Sequence, residues 1–339
     1  MEYFRPIVMT DPVRPAGSFA LAGGWCWFDR VEVLSRAAPA RLIPASSLPE
    51  EALHRLTAPR ADFAGLTMDR PRLMGIVNTT PDSFSDGGRY LAQTNAVDHA
   101  RFIARHAEMV DIGGESTRPG SLEVPVAEEI ARTAPVIEAL RDGGVQAPIS
   151  IDTRKALVAS AALAAGAMVV NDVSGLDFDP AMGGLVARTG AALVLMHAQG
   201  LPETMQNDPQ YGDVLLDVYD ALAERLARAV ALGIDPRRIA IDPGIGFGKT
   251  MAHNIALLRA LSLFHGLGCP LLVGTSRKRF IGTIGRAEAP ADRMPGSVTV
   301  ALAGVAQGVQ ITRVHDVAET RQALLLWQAL HMDQAEDQG

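Results

Sequence analysis

Short apolar runs alternate with helix-like stretches along the chain from residue 72 onward. Each apolar run ends on polar or glycine-rich residues, and a stretch with helical spacing of apolar positions follows. The eight apolar runs are 72–78, 108–114, 148–152, 167–172, 191–197, 238–244, 269–276 and 311–316. The helix-like stretches include 95–107, 126–141, 155–165, 213–232, 252–264 and 317–331. Because the apolar runs do not alternate with polar residues, they are typical of parallel strands buried on both faces.

Eight strand-then-helix units predict an α/β fold of the (β/α)₈ TIM barrel type, and a doubly wound parallel sheet is the alternative. In such a barrel, functional side chains lie where the strands end. The polar residues that close the apolar runs meet this expectation. They include Asn78, Asp152, Asn171, His197, Asp242, Ser276, Lys278, Arg313 and His315.

Residues 1–70 do not share this rhythm. They are rich in Pro and Arg and contain several aromatic residues, among them Trp25, Trp27 and Phe28. We interpret them as a strand-like N-terminal extension packed on the barrel, with a short helix that starts near Ser47. The barrel domain then covers residues 71–332, and residues 333–339 form a polar C-terminal tail.

Composition narrows the class of partner. The net charge of −7 lacks the basic surplus of a general nucleic-acid binder, although a few local cations can still bind an anionic small molecule. The two cysteines, Cys26 and Cys269, form no metal spacing and no disulfide framework. No apolar run approaches the roughly 18 residues needed to cross a membrane. We therefore expect a cytoplasmic protein that acts on small molecules, without nucleic acid or membrane as a partner.

Two loops after the first two strands contain candidate binding groups. The first, TPDSFSDGG at 80–88, is long for a connection in a barrel and contains Asp82 and the aromatic residue Phe84. The second, GGESTRPG at 113–120, offers hydroxyl and guanidinium donors to an anion. The first loop fits a mobile lid over a ligand, although an ordinary surface loop is the alternative. The second fits a segment that binds an anion, although a solvated turn alone is the alternative.

Asp152, Asn171 and Asp242 lie at the ends of apolar strands. An isolated buried carboxylate is costly unless a donor meets it, so each acid needs a partner. A flat heterocycle with several N–H donors, such as a pterin, would supply one. Backbone amides could satisfy any single acid instead, but this explanation is weaker for all three residues together.

The later motifs indicate an anion site. DPGIGFGK at 242–249 has neither the spacing of a phosphate-binding P-loop nor that of a dinucleotide fingerprint. Arg313 and His315 lie two residues apart, which places both on one face of a strand. With Asn78 and Arg118 they would form a phosphate pocket at the barrel mouth. No His/Cys cluster is present, so a cation would be shared with the phosphate ligand.

Taken together, these motifs resemble those of the dihydropteroate synthase family of pterin-binding enzymes. The resemblance covers about residues 72–331, and the motifs occur in the family's order. They are NTTPDSFSDGG, DIGGESTRPG, SIDTRK, VNDVSG, LMH, DPGIGFGK, GTSRK and RVHDV. The extension at 1–70 lies outside this common core, and nothing resembles a fused second enzyme.

The resemblance implies a role for each site residue. The pterin would be bound by Asp152, Asn171, Met196, Asp242 and Lys278. The pyrophosphate would be bound by Asn78, Arg118, Arg313 and His315, with Mg²⁺ between Asn78 and the leaving group. The 4-aminobenzoate pocket and its loops would comprise Asp82, Phe84, Thr117, Arg118, Pro119, Phe247, Ser276 and Lys278.

It also implies an activity. The enzyme would condense 6-hydroxymethyl-7,8-dihydropterin pyrophosphate with 4-aminobenzoate by a dissociative, SN1-like substitution. A homodimer and inhibition by sulfonamides would be expected. Two alternatives are a pterin-dependent methyltransferase, which has no use for a pyrophosphate pocket, and a non-catalytic barrel that binds a phosphorylated ligand.

Overall fold

The N-terminal region contains five short strands and one helix. The computed structural model describes residues 1–79, 88–116, 121–200 and 204–332, with the backbone alone at 88–92. The first elements are β1 (Glu2–Pro6), β2 (Phe19–Ala20), β3 (Trp27–Phe28), β4 (Arg30–Ser35), β5 (Arg41–Pro44) and α1 (Glu50–Thr57). β1, β4 and β5 form an antiparallel sheet, and β2 pairs with β3.

Eight parallel strands follow and form one sheet. They are β6 (Arg72–Asn78), β7 (Met109–Gly113), β8 (Ile149–Asp152), β9 (Val169–Asp172), β10 (Ala192–Met196), β11 (Ile239–Asp242), β12 (Leu272–Gly274) and β13 (Ile311–Val314). Neighbours run in the order β11-β10-β9-β8-β7-β6-β13-β12. A parallel bridge between Ile241 and Leu271 joins the two outer strands and closes the barrel. The predicted TIM barrel is therefore confirmed, and the doubly wound alternative is wrong.

Helices surround this barrel. They are α2 (Gly88–Ala104), α3 (Val126–Asp142), α4 (Ala156–Ala164), α5 (Ala181–Thr189), α6 (Val214–Ala231), α7 (Met251–Arg259), α8 (Arg279–Gly285), α9 (Met294–Val305) and α10 (Val317–His331). The predicted helix at 252–264 is shorter, because Ala260 leaves helical geometry and a 3-10 helix occupies Leu261–Leu267. None of the helices in the described ranges is both long enough and apolar enough to span a membrane.

Residues near the end of the extension fill the amino-terminal end of the barrel. Phe63 and Met68 are buried in a cluster with residues from the strands, including Met74, Met109 and Leu272. This floor leaves only the carboxyl-terminal mouth for a site inside the barrel.

The rest of the extension packs along the barrel's side. The indole N–H of Trp25 donates to the carbonyl of Val305, and Ser262 donates its hydroxyl to the carbonyl of Pro6. The hydroxyl of Tyr3 donates to Asp220 on α6. Phe28 is completely buried and belongs to the same hydrophobic cluster as the barrel strands.

We expect the Phe28→Ala substitution to lower the free energy of unfolding by about 3–5 kcal/mol, because it empties a large buried site. Chemical denaturation monitored by both tryptophan fluorescence and circular dichroism would measure this loss. Since the extension and the barrel share a core, both signals should move together. A separate early transition of the tryptophan signal would show that the extension unfolds independently.

Candidate active site

The strand register brings the polar residues into one layer at the barrel mouth. Asp152 lies directly opposite Asn171, and Gly113 lies opposite both Asn78 and Asp152. In two other strand pairs of the same barrel, Met196 lies opposite Asp242, and Gly274 lies opposite Arg313. Residues that are far apart in the sequence therefore face one another across a short distance.

Arg313 joins two carboxylates inside the barrel. Its Nε donates to Oδ2 of Asp111 at 2.6 Å, and one of its terminal nitrogens donates to Oδ2 of Asp152 at 2.8 Å. Asn171 donates its side-chain amide to the same Asp111 oxygen at 3.2 Å. These four side chains form a continuous polar network, with both carboxylates buried.

Asp111 is a site residue that the sequence reasoning missed. It lies in the middle of the apolar run EMVDIGG, two residues before Gly113, and is fully buried. The available signal was the single charge within an otherwise apolar strand, since an unpaired carboxylate does not persist in a core.

Two oxygens of this network still lack a donor. Within the described part of the chain, Oδ1 of Asp111 and Oδ1 of Asp152 are buried and have no hydrogen-bond partner. Leaving a buried acceptor unsatisfied costs about 1–3 kcal/mol. The site is therefore suited to a ligand that presents N–H donors to these two carboxylates.

Burial changes the protonation of the acids. Desolvation raises the pKa of Asp152 to about 7 and outweighs the opposing attraction of Arg313. Burial also raises the pKa of Asp242, against the lowering effects of Lys278 and the Gly244 amide. Both acids thus hold a proton more readily than an exposed carboxyl group, and a cationic or donor-rich ligand would favour their ionised forms.

The glycine-rich loop after β11 shapes the second part of the site. Asp242 accepts a hydrogen bond from the Gly244 amide at 2.7 Å. Gly244 has φ +67°, and a Cβ there would lie 1.8 Å from the carbonyl oxygen of His197, so only glycine fits. Lys278 donates to the carbonyl of Ile245, and its Nζ lies 4.6 Å from the ring centroid of Phe247.

The ammonium group of Lys278 is poorly hydrated. Burial lowers its pKa to about 8, although Asp242 favours the charged form. Met196 is buried at the end of β10, beside Asp242 in the register. Its polarisable thioether suits contact with a flat ring.

Ser276 and His315 form a separate contact on the turns after β12 and β13. Nδ1 of His315 lies 3.0 Å from Oγ of Ser276, and the His315 amide donates to the same oxygen at 3.2 Å. Between Ser276 and Lys278, Arg277 has a left-handed φ of +58°. Its amide donates to Ser297, and its guanidinium pairs with Asp316. These contacts hold the two turns together despite the strained residue.

The structure thus brings together Asp152, Asn171, Met196, Asp242, Lys278 and Arg313 inside the barrel, with Asn78, Phe247, Ser276 and His315 on adjoining strand ends and turns. The other predicted site residues, Asp82, Phe84, Thr117, Arg118 and Pro119, lie outside the described residues. In the described ranges, no group of three or more His, Cys, Asp or Glu side chains could hold a metal ion.

Comparison with known proteins gives a consistent result. The family model described as "Pterin binding enzyme" matches residues 74–315. The dihydropteroate synthase of Neisseria meningitidis serogroup B is 48% identical over 269 residues, which are 78% of this chain and 94% of that protein.

Solved structures agree in fold as well as in sequence. Xanthomonas albilineans dihydropteroate synthase with 4-aminobenzoic acid has a TM-score of 0.76 and 48% identity, covering 81% of this chain and 99% of that chain. Yersinia pestis dihydropteroate synthase with a sulfonamide drug complex has a TM-score of 0.74 and 44% identity, covering 78% and 95%. The extension up to residue 70 lies outside the residues matched by the family model.

Proposed function

Because this chain belongs to the pterin binding enzymes and, within them, to the dihydropteroate synthases, we propose that its barrel mouth joins 6-hydroxymethyl-7,8-dihydropterin pyrophosphate to 4-aminobenzoate. The products are 7,8-dihydropteroate and pyrophosphate, so the protein is a transferase of folate biosynthesis. The observation that carries the proposed mechanism is the pair of buried carboxylate oxygens, on Asp111 and Asp152, that lack a donor in the described part of the chain.

A pterin ring matches the donors and acceptors of this site. Its 2-amino group and ring N–H groups can donate to Asp152 and Asp242, while the Asn171 amide can both donate and accept. Lys278 would donate to a ring acceptor, and Met196 would support one face of the ring. Asp111 lies within the same network and extends the predicted set by one acid.

The carboxylates and the cations would act on different parts of the substrate. Arg313 uses two of its five N–H donors on Asp111 and Asp152, which leaves donors for the pyrophosphate. His315 and Asn78, on the neighbouring strand ends, complete this anion site. Arg118 is assigned to it by sequence alone.

The reaction then follows as a substitution at the methylene carbon of the pterin. The C–O bond breaks and its electron pair leaves with the pyrophosphate, whose charge Arg313 and His315 stabilise. Positive charge spreads from the methylene carbon into the ring, close to Asp111, Asp152 and Asp242. The amine nitrogen of 4-aminobenzoate forms the C–N bond with its lone pair, and its extra proton passes to water or to the released pyrophosphate.

Mg²⁺ fits this site as an ion shared with the substrate. The described residues supply no protein cage, and Asn78 supplies an amide oxygen at the end of β6, while Asp82 lies outside the described part. Mg²⁺ usually keeps several waters and takes few protein oxygens when a phosphate is present. When bound, it would neutralise charge on the pyrophosphate.

The 4-aminobenzoate pocket would include Phe247, Ser276 and Lys278 among the described residues. Phe247 offers an aromatic face, and Ser276 with Lys278 offers donors for the carboxylate. The related Yersinia pestis enzyme has been solved with a sulfonamide drug complex, and we propose that sulfonamides compete with 4-aminobenzoate in this protein.

The direct test is to incubate the protein with both substrates and Mg²⁺ and to follow dihydropteroate and pyrophosphate together. Equal formation of both products, strongly reduced but still measurable in Asp152→Asn, is the expected result. Release of pyrophosphate without 4-aminobenzoate would mean that water captures the cation. Tight pterin binding without any product would contradict the synthase mechanism.

The pH dependence of kcat/KM for the pterin substrate should be bell-shaped. Pterin recognition requires ionised Asp152, whose pKa is about 7, and protonated Lys278, whose pKa is about 8. Activity should therefore rise as the pH passes 7 and fall above 8. Steady-state rates across this range would measure both limbs. The rising limb should disappear in Asp152→Asn, and the falling limb should move to higher pH in Lys278→Arg; unchanged limbs would refute the assignment.

A homodimer is supported by the outer face of α9 and α10. These helices pack side by side, and α9 contains no charged residue. On α10, Leu325, Leu326 and Leu330 are 55%, 63% and 74% exposed. Adjacent apolar residues on an exposed face typically mark an interaction surface. We propose that a second copy of the chain covers this face.

The Leu326→Glu/Leu330→Glu double substitution should convert the dimer into a monomer, because it buries two unpaired carboxylates in the interface. Sedimentation velocity would measure the change in mass. Leu42→Glu is a matched control, since Leu42 is a leucine of similar exposure, 62%, on β5 and belongs to neither helix. A wild-type monomer, or a double variant that remains dimeric, would contradict the proposed interface.

The cysteines support a cytoplasmic location. Cys26 and Cys269 are buried and unpaired, and burial raises the pKa of their thiols to about 12 and about 11. Both are therefore unreactive thiols that require no oxidising compartment. Cell fractionation with an antibody against the protein would test this location.

A further inference from the structure

Four charged side chains are buried together beside the pterin site. They are Glu115, Glu129, Arg154 and Lys155, on the segments that follow β7 and β8 and on α3. Arg154 pairs with Glu115 at 2.9 Å, and Lys155 pairs with Glu129 at 2.8 Å and also with Glu115. The formal charges of the four groups cancel.

Lys155 satisfies all three of its N–H donors. Its ammonium group donates to Glu115, to Glu129 and to the backbone carbonyl of Val124, the last at 2.6 Å. Burial lowers the pKa of Lys155, but the hydrogen bonds and charges of Glu115 and Glu129 outweigh this effect and raise it. A planar guanidinium cannot reproduce this three-way arrangement of donors.

The cluster fixes two separate stretches of the chain relative to each other. Glu115 belongs to the first stretch and accepts a hydrogen bond from the Val124 amide at 3.3 Å, while Lys155 binds the Val124 carbonyl. The hydroxyl of Ser121 donates to that of Ser116 at 2.9 Å. Residues 114–116 and 121–124 are thus held side by side, on either side of residues 117–120.

Stability alone is a weak reason to bury four charges. Desolvation costs several kcal/mol for each ion, and well-packed apolar residues often replace such clusters without loss. Lysine is also rare here, because the chain has only Lys155, Lys249 and Lys278 among its 31 basic residues. All three lysines follow strand ends at the barrel mouth. In this chain, lysine therefore occurs only near the candidate active site.

We propose that Lys155, acting through Glu115 and Val124, is a positioning residue for 4-aminobenzoate. It would hold the two flanks of the STRPG segment in the register that the second substrate requires, without touching either substrate. This inference rests on the proposed function, which assigns Thr117, Arg118 and Pro119 to the 4-aminobenzoate pocket.

The test compares the two substrates in Lys155→Met and in Lys155→Met/Glu129→Gln. The double variant keeps the cluster's net charge at zero and retains the Glu115–Arg154 pair, so it guards against simple unfolding. We expect the KM for 4-aminobenzoate and the inhibition constant of sulfanilamide to rise about 10- to 100-fold, since small misplacements have effects of this size. The dissociation constant of the pterin pyrophosphate, measured by calorimetry without 4-aminobenzoate, should change less than about threefold. Lys155→Arg keeps the positive charge, but we expect its KM for 4-aminobenzoate to remain raised as in Lys155→Met.

Phe28→Ala is the control for lost stability, because it removes a buried group far along the chain from both flanks. Equal weakening of both substrates, or an equal rise in the 4-aminobenzoate KM in Phe28→Ala, would overturn the proposal in favour of a purely structural role. An unchanged 4-aminobenzoate KM in Lys155→Met and in Lys155→Met/Glu129→Gln would also overturn it. A wild-type protein that binds pterin pyrophosphate but makes no dihydropteroate would instead refute the proposed function, and this inference with it.

Discussion

Replacing Arg313 with methionine should abolish most of the activity and also destabilise the fold. The substitution leaves Asp111 and Asp152 buried without their shared cation, and breaking a buried pair costs about 3–5 kcal/mol of stability. It also removes donors to the leaving pyrophosphate, and we expect kcat/KM to fall by about 10³-fold. Urea denaturation and steady-state kinetics would measure the two effects.

The loss of stability should depend on pH. Without Arg313, the pKa of Asp152 in the folded protein rises further above its unfolded value, because burial then acts without the opposing attraction of the guanidinium. The folded state then binds more protons than the unfolded state, so the stability of the variant falls as the pH rises through neutrality. The destabilisation should therefore be larger at pH 8 than at pH 5.

The double variant Arg313→Met/Asp111→Asn separates the two roles of Arg313. Removing one carboxylate should recover much of the lost stability while the activity remains low. Recovery of activity together with stability would mean that Arg313 only compensates the acids. An active Arg313→Met enzyme would exclude it from the pyrophosphate site.

Replacing Lys278 with methionine should lower the activity strongly but leave the stability of the fold almost unchanged. We expect kcat/KM to fall by about 10²–10³-fold, because a donor aimed at the substrate is lost. The free energy of unfolding should stay within about 1 kcal/mol of the wild-type value or increase, since an apolar side chain often replaces a buried charge without cost. Kinetics at pH 7 and thermal denaturation would measure both quantities.

The pKa of Lys278 determines the direction in which wild-type stability changes with pH. The value of about 8 in the folded protein lies below the ordinary value of 10.5, so the folded state binds this proton less readily than the unfolded chain. Wild-type stability should therefore rise as the pH increases from 8 toward 10.5, and Lys278→Met should remove this rise. Arg279→Met is the matched control, because Arg279 is the exposed neighbour in the same turn. A strongly destabilised Lys278→Met would contradict a functional origin of the charge.

Much of the fold and part of the candidate site could be predicted from the sequence. The eight apolar runs correspond to the eight barrel strands, because burial on both faces is recorded locally as an unbroken apolar run. Asp152, Asn171 and Asp242 could be chosen because each terminates such a run. Polar side chains at strand ends are local features, and the barrel then places the carboxyl ends of all strands on one side.

Other features depend on contacts that no local pattern records. Both faces of a barrel strand are buried, so the run containing Asp111 could not show that this side chain faces inward. Its partner Arg313 is 202 residues away in the sequence, and only the pairing of β13 and β7 with opposite edges of β6 brings them together. The amino-terminal end of the barrel is a second example. In the sequence, Phe63 is an ordinary apolar residue in an irregular segment, and only the structure shows that it packs against the strands there.

The sequence by itself determined the barrel, the mouth at which chemistry occurs and most of the polar groups available there, because these follow from burial and from the direction of each strand. Only the tertiary structure decided which of these groups are paired. Burial and neighbouring charge set the pKa of Asp152 and of Lys278. Among the described residues, pairing leaves two carboxylate oxygens open to a donor and joins Lys155 to the flanks of the STRPG segment. Electrostatic interactions depend on distance in space and on exclusion of water, and neither quantity is contained in the order of residues along the chain.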